Sequence, residues 1–372
     1  MLKNINMTTK VIKCGVVGLT NNKKECLDSE WSNFQDFLQL KNTLWWKNDW
    51  GKNIYSANKQ QAERFYKSIE EGKEYPISIR KDLIQIEKKD TKLAKYWFRM
   101  RVKSKRNLWL AIKPHQPISD DVEFQESKLL KKNGQYFIYL TIQKEIKIKK
   151  SYSNILSIDL GVKWIATVCD MKSKRPVFYG KELRGIRGKH FYLRRKIQKK
   201  KIRQMGKWLE NNKEERIVND LIHKISRDIV NKAKETNSMI CWGDIKGIRK
   251  NNKGRKFNRK LNSFPFYKLK EQIRYKAEWE GIKVVEISEA WTSQICNKCS
   301  EKGTRNKGLF KCNSCGYEDN SDRNGSLNIG KRVLGQVSRI GVSVNIPKTE
   351  AENIKNTKIR NSVSDFRSHL FQ

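Results

Sequence analysis

The spacing of apolar residues changes several times along this chain, and each change implies a different kind of element. Residues 10–20, opening with Lys10-Val11-Ile12-Lys13-Cys14-Gly15-Val16-Val17-Gly18, read as a strand. From 29 to 72, Trp31, Phe34, Phe37 and Leu38, then Ala62, Phe65, Tyr66 and Ile69, recur at three-to-four spacing and predict helices. Between the two groups, Trp45, Trp46, Trp50 and Tyr55 stand among Lys47, Asn48 and Lys52. That cluster fits either a core or a stacking wedge for nucleic acid. Short strand-like runs follow at 76–80, 96–102, 108–112 and 136–142, with Asn133-Gly134 as a hairpin turn before the last. The first 150 residues therefore predict a small β-barrel with a helical insertion at about 29–72, closed off by the lysine-rich stretch 144–150.

The second half is patterned differently. Ile155-Leu156-Ser157-Ile158-Asp159-Leu160-Gly161 is an apolar strand broken by one carboxylate, and Trp164 to Cys169 reads as its antiparallel neighbour. Two helical stretches fill 189–235, and Met239 to Trp242 is a buried strand. Asn251 to Lys260 reads as a basic loop, Phe266 to Glu280 as a helix and Lys283 to Ser288 as a strand. This order makes 151–332 an α/β unit with a mixed sheet. Beyond it, residues 333–372 are polar and irregular and read as a mostly disordered tail.

Charge narrows the function. Of the 372 residues, 80 are Lys or Arg against 39 Asp or Glu, a formal charge of +41. Such a surface repels itself unless a polyanion binds it. The cations are spread along the chain and interleaved with 11 Trp, 12 Tyr and 14 Phe, which favours nucleic acid over a membrane surface. The stretch Arg194-Arg195-Lys196-Ile197-Gln198-Lys199-Lys200-Lys201-Ile202-Arg203 has six charges of one sign in its first eight residues and reads as a phosphate-tracking helix. No run of 18 apolar residues exists, and Met1 to Asn6 has no apolar stretch of the kind that starts a secretion signal. A cytoplasmic, nucleoid-associated protein is expected.

Four of the eight cysteines are scattered (Cys14, Cys26, Cys169 and Cys241) and read as small buried apolar residues. The others form two knuckles, Cys296-Asn297-Lys298-Cys299 and Cys312-Asn313-Ser314-Cys315, twelve residues apart, with Gly316 after the second. Two C-x2-C knuckles aim four thiolates at one point and predict a closed, structural Zn²⁺ site at about 291–318. Two carboxylates also stand out. Asp159 lies inside an otherwise apolar strand, so it must be paired or hold a metal. Asp322, just past the second knuckle, is either a helix N-cap or a metal ligand.

Taken together these segments resemble the transposon-encoded TnpB proteins and the related miniature type V CRISPR effectors. Ser157-Ile158-Asp159-Leu160-Gly161-Val162 resembles the first motif of RuvC-like nucleases. Trp291-Thr292-Ser293-Gln294-Ile295-Cys296-Asn297-Lys298-Cys299 resembles the family's aromatic-Thr-Ser-Gln stretch leading into a knuckle. Cys312-Asn313-Ser314-Cys315-Gly316-Tyr317-Glu318 followed by Asp322-Arg323-Asn324 resembles its second knuckle and third RuvC motif. The resemblance covers about 155–332; the N-terminal half matches in layout alone. It implies an α/β RuvC-like (RNase H-type) nuclease domain with an inserted zinc ribbon, behind an N-terminal β-barrel domain. It also implies an RNA-guided DNA endonuclease with structural Zn²⁺ and catalytic Mg²⁺. Its partners would be a guide RNA and double-stranded target DNA, held by one chain rather than a pair.

In that family three acidic residues hold two Mg²⁺ ions about 4 Å apart. Asp159 and Asp322 map onto the first and third. Where the second motif has Glu, this chain has Gly243, in Trp242-Gly243-Asp244-Ile245. Asp244 is one residue on, and neighbouring strand residues point to opposite faces. Glu289, in Ser288-Glu289-Ala290-Trp291, is the preferred replacement, since some relatives carry a relocated glutamate in this stretch; Glu286 would face the other way. The alternative is a nuclease-inactive, RNA-guided repressor, marked by Gly243. A guide-free, DNA-binding zinc protein is the third reading.

Overall fold

The computed structural model describes residues 5–40, 54–102, 107–199, 212–245 and 254–346. Trp45, Trp46 and Trp50 lie outside them, as do Lys200, Lys201 and Arg203. The chain divides into two units, one over Ile5–Glu145 and one over Ile146 onward.

In the N-terminal unit, β1 (Ile5–Val17) leads into helices α1 (Asn21–Leu40) and α2 (Ser56–Phe65). Then come β2 (Ile77–Ile79), a 3-10 turn, β3 (Gln85–Lys88), β4 (Tyr96–Arg101), β5 (Asn107–Pro114), β6 (Glu123–Lys132) and β7 (Gln135–Lys147). The helices bury Leu27, Trp31, Phe34, Phe37 and Ala62, and Glu30 between them accepts from the Asn58 side chain at 2.7 Å. Asn133 and Gly134 both take positive φ (50° and 74°), the geometry of the tight turn that joins β6 to β7.

The strands pair in the order β2-β6-β7-β1-β5-β4-β3, an open sheet with β2 and β3 at its edges, where the sequence predicts a closed barrel. Consecutive strands thus occupy opposite edges. The six residue steps from Ile79 to Gln85 span at most about 21 Å. A flat seven-stranded sheet would put its edges about 29 Å apart. The sheet must therefore curl towards closure, and the three- and four-residue edge strands are too short to zip the seam.

The C-terminal unit is built on a five-stranded sheet. Short β8 (Ser151–Tyr152) precedes β9 (Asn154–Asp159), β10 (Ala166–Asp170) and β11 (Pro176–Tyr179), then α3 (Glu182–Lys199) and α4 (Lys213–Glu235). Next come β12 (Ser238–Asp244), α5 (Arg255–Ser263), α6 (Phe266–Trp279) and β13 (Val284–Ser288). The sheet order is β11-β10-β9-β12-β13, antiparallel among the first three and parallel from β9 through β13. A small three-stranded sheet, β14 (Gly303–Asn306), β15 (Leu309–Cys312) and β16 (Glu318–Asn320), is inserted before α7 (Ser321–Leu334). Residues 255–260 form part of α5 instead of the expected loop, because Leu261 and Phe264 at its end are buried.

Strand alternation sorts the sheet into two layers. Leu156, Ile158, Ile240 and Trp242 pack under α4 and α6, with Ile222, Ile229, Leu269 and Ile273. Ile155, Cys169, Met239, Cys241, Val285 and Ile287 face α7, through Leu327, Ile329 and Val333. The chain beyond α7 belongs to this second layer. Val337, Ile340, Val342, Val344 and Ile346 pack against it, and β17 (Ser343–Val344) pairs in parallel with β8. The expected tail is therefore corrected: 335–346 is folded, its isolated apolar residues covering a sheet face the sequence alone does not reveal. Residues 347–372 lie outside the described set. A chain ended at Leu334 should unfold at a lower temperature than one ended at Ile346, by several degrees in a thermal melt, since removing this cover exposes several half-buried apolar side chains.

Candidate metal centres and acidic site

Asp159 ends β9, the strand from which the sheet runs one way to β10 and the other to β12. The carboxyl ends of strands at such a reversal form a natural crevice. The register places Ile158 beside Trp242, so Asp159 and Gly243 are neighbours one step further on. Both follow residues of the α4 and α6 layer, so both point towards α7. By the same alternation Asp244 points the other way. On β13, Val285 and Ile287 face α7, and Glu289 continues their parity just past the strand end. Glu286 faces the opposite layer, where Lys270 and Arg274 pair with it.

Gly243 and Glu289 compete for one space. A Cβ built on Gly243 would lie 2.8 Å from Cγ, 2.9 Å from Cβ and 3.0 Å from Cδ of Glu289. The Glu289 side chain thus folds back over the glycine and occupies the volume that a side chain on β12 would fill. From there it faces the Asp159 carboxyl, and the two groups act on each other's charge. Burial, then the charges of Glu289 and Asp322, push the Asp159 carboxyl well above its ordinary range. Burial also lifts Glu289 to about 7, against the pull of Lys270.

Asp322 reaches the same place from the first turn of α7. It is not the helix cap: Asn320 caps α7, accepting from the N–H groups of Asp322 (2.9 Å) and Arg323 (3.2 Å). Asp322 is instead paired with Arg305 of β14 at 2.6 Å. Sequence reasoning missed Arg305, one of many cations in a run without distinguishing spacing. Helix α7 approaches β9 closely enough that a Cβ on Gly325 would sit 3.0 Å from Asp159 Oδ2. Ser326 beside it donates to the Ser157 carbonyl at 2.7 Å. The turn carrying Glu289 is held from the same helix: Arg332 donates to the carbonyls of Ser288 and Ala290, and Asn328 to that of Thr292 at 2.8 Å. An open cavity of about 540 Å³ at the ends of β12 and β13 is lined by Asp244, Glu286, Ser288, Glu289 and Ala290.

The four expected thiols come together. Cys296, Cys299, Cys312 and Cys315 place their sulfurs within 4.8 Å of one another, the one such group among the described residues. Cys296 and Cys315 are 3.8 Å apart, and Cys299 and Cys312 3.4 Å. A tetrahedron with metal–sulfur bonds of 2.3 Å has edges of about 3.8 Å, so the cluster can hold a metal such as zinc. Among the described residues the three carboxylates do not form a group of this kind. Among the expected phosphate contacts, Arg195, Lys196 and Lys199 are exposed on α3, whereas Arg194 pairs with Glu214 of α4.

The family model for the Cas12f1-like TNB domain matches residues 266–329, the stretch from α6 through the thiol cluster into α7. The chain is 32% identical to TnpB-like protein MJ0751 of Methanocaldococcus jannaschii, over 51% of this chain and 72% of that protein. It belongs to the TnpB-like family. Within this family the miniature type V effectors are close by: CRISPR-associated endodeoxyribonuclease Cas12f2 of a Micrarchaeota archaeon is 29% identical over 54% of this chain, a match spanning 41% of its own length. The fold is similar to that of Cas12f1 in its complex with single-guide RNA and target DNA, with a TM-score of 0.52 at 15% identity over 84% of this chain and 83% of that one. Among the described residues, no helix of this TnpB-like chain is long and apolar enough to cross a membrane.

Changing Cys299 and Cys312 together to Ser removes two of the four donors. Metal content of the purified protein should fall from about one equivalent to near zero, and a variant that kept its full metal would refute a four-thiol site.

Proposed function

We propose that this TnpB-like chain is an RNA-guided DNA endonuclease whose RuvC-like site is formed by Asp159, Glu289 and Asp322, with Zn²⁺ in the cysteine ribbon. The observation that carries this reading is the exchange of space between Gly243 and Glu289. A carboxylate absent from β12 is replaced by one arriving from the end of β13, on the same face and beside Asp159. The inactive-repressor alternative rests on the loss of the β12 acid, and that loss has a local compensation.

The donor set suits Mg²⁺. Carboxylate oxygens are hard ligands. Three carboxylates can hold a pair of such ions. Bound Mg²⁺ would supply an activated water and stabilise the leaving oxygen of the scissile phosphate. The protein's own groups do the rest. Asp159 and Asp322, on β9 and α7, fix two donors on rigid elements. Arg305 neutralises Asp322 while its side chain stays 45% exposed, so its outer edge can face a substrate phosphate. Exposed Arg195, Lys196 and Lys199 would track the backbone of a guide or target strand. Sequence would be read by pairing between guide RNA and DNA, with the N-terminal unit sensing a short adjacent duplex motif.

The test is Mg²⁺-dependent cleavage of a target-plasmid library by protein purified with RNA from its own locus, with guided binding measured in parallel. Asp159→Ala and Glu289→Gln should each lower cleavage on the order of 10²–10³-fold while binding persists. Full activity in Glu289→Gln would remove Glu289 from the site. Guided binding without cleavage by the unaltered chain would establish the repressor reading. The exchange of space gives a sharper comparison. Gly243→Glu alone should abolish cleavage, because two side chains then contend for one volume. Gly243→Glu combined with Glu289→Gly should recover part of it by returning one carboxylate to that volume. A double variant no better than the single one would mean that the two positions are not interchangeable.

A further inference from the structure

The indole of Trp291 follows Glu289 by two residues and has no part in the reading above. It is 48% exposed, and its backbone takes φ +65°, a left-handed conformation that a bulky residue rarely adopts. The turn itself explains the backbone. The Trp291 carbonyl accepts from the N–H groups of Gln294 (2.9 Å) and Ile295 (3.2 Å), Arg332 holds the Ala290 carbonyl, and Thr292 donates to that of Glu289. Such a turn would form more easily with Gly or Asn. A half-exposed Trp in this position therefore calls for a reason outside the turn.

Its surroundings supply one. Lys302 Nζ lies over the half-exposed indole, 5.7 Å from the ring centroid. Lys302 adjoins β14, whose Arg305 pairs with Asp322. One edge of the ribbon thus brings a cation to the indole and another to the acids. The Cα atoms of Glu289 and Trp291 are at most about 7 Å apart. An aromatic ring, an ammonium and a carboxylate site within one turn and the adjoining ribbon edge offer partners for a base, its phosphate and the neighbouring reactive phosphate of a single strand.

We infer that Trp291, assisted by Lys302, is a substrate-positioning residue that stacks on a nucleobase of single-stranded DNA next to the phosphate held at the acids. This rests on the acids being a nuclease site, but the stacking can be read without cleavage. Stacking does not discriminate among bases, so the platform positions a strand without selecting its sequence. Its contribution of about 1–3 kcal/mol per base corresponds to about a 5- to 150-fold effect on strand affinity.

The test uses the full-length Asp159→Ala protein and a short DNA oligonucleotide carrying 5-iododeoxyuridine, whose photocrosslinks form with stacked aromatic rings. Irradiation at high salt, where phosphate contacts are screened, should crosslink the peptide containing Trp291. Trp291→Leu should lose that crosslink and Trp291→Tyr should keep it. Crosslinks confined to other aromatic residues, with the same yield in Trp291→Leu, would overturn the inference, as would efficient crosslinking to an RNA oligonucleotide but not to DNA. In protein with Asp159 intact, Trp291→Leu should raise KM for a single-stranded substrate with little change in kcat, and Trp291→Tyr should restore it. An equal fall in kcat with unchanged KM would also overturn it. Failure of the nuclease reading would appear separately, as a Trp291 crosslink in a chain that does not cut.

Discussion

Three carboxylates gathered at the end of one sheet repel each other, and much of the C-terminal unit consists of the means of keeping them there. Asp159 and Glu289 face each other, and burial pushes both carboxyls above their ordinary range. Asp322 is neutralised from outside by Arg305. Lys270 adds a further favourable field at Glu289 from the opposite layer, although its own partner is Glu286. Like charges in a shared site raise each other's proton affinity unless cations intervene. Here two basic side chains, Arg305 and Lys270, supply part of the positive charge that such a cluster calls for.

Helix α7 is the ruler for this arrangement. Its N-terminus carries Asp322, its Gly325 lets Asp159 come close, and Ser326 locks onto the backbone of β9. One face of it, through Asn324 and Asn328, takes the backbone carbonyl of Ile295 beside the first knuckle, while Arg332 takes the carbonyls on either side of Glu289. A glycine inside a helix costs about 1 kcal/mol relative to Ala. That cost is intelligible where the alternative is a methyl group pressed against a carboxylate. The ribbon inserted between β13 and α7 is tied to the same helix, so ordering the four cysteines also orders Arg305.

Much of the site was legible from alternation alone. Counting faces along β12 and β13 is enough to send Asp244 and Glu286 one way and Glu289 the other, and the layers of the sheet follow that count. The cysteine spacing was equally direct, because a knuckle is a local geometry. Features that depend on distant partners were not legible. Arg305 acquires its place from a ribbon hairpin whose docking no spacing encodes. Residues 335–346 look polar and irregular until β8 and the α7 layer offer their isolated apolar side chains a surface. The seam between β2 and β3 depends on how far seven strands curl, and the local strand patterns carry no record of it.

Placing a carboxylate on the turn beyond a strand, instead of on the strand itself, exchanges one kind of rigidity for another. A side chain on β12 would inherit its direction from the pleat and from neighbours on both sides. Glu289 lies past the last residue of β13, where the ladder no longer fixes the backbone. The turn is fixed instead by side chains: Thr292 on the Glu289 carbonyl, Arg332 on the two flanking carbonyls and Asn328 on that of Thr292. The same bonds that aim Glu289 also hold Trp291 in its left-handed conformation. The carboxylate and the exposed indole are therefore positioned as one unit, so a change in the turn that displaces one displaces the other.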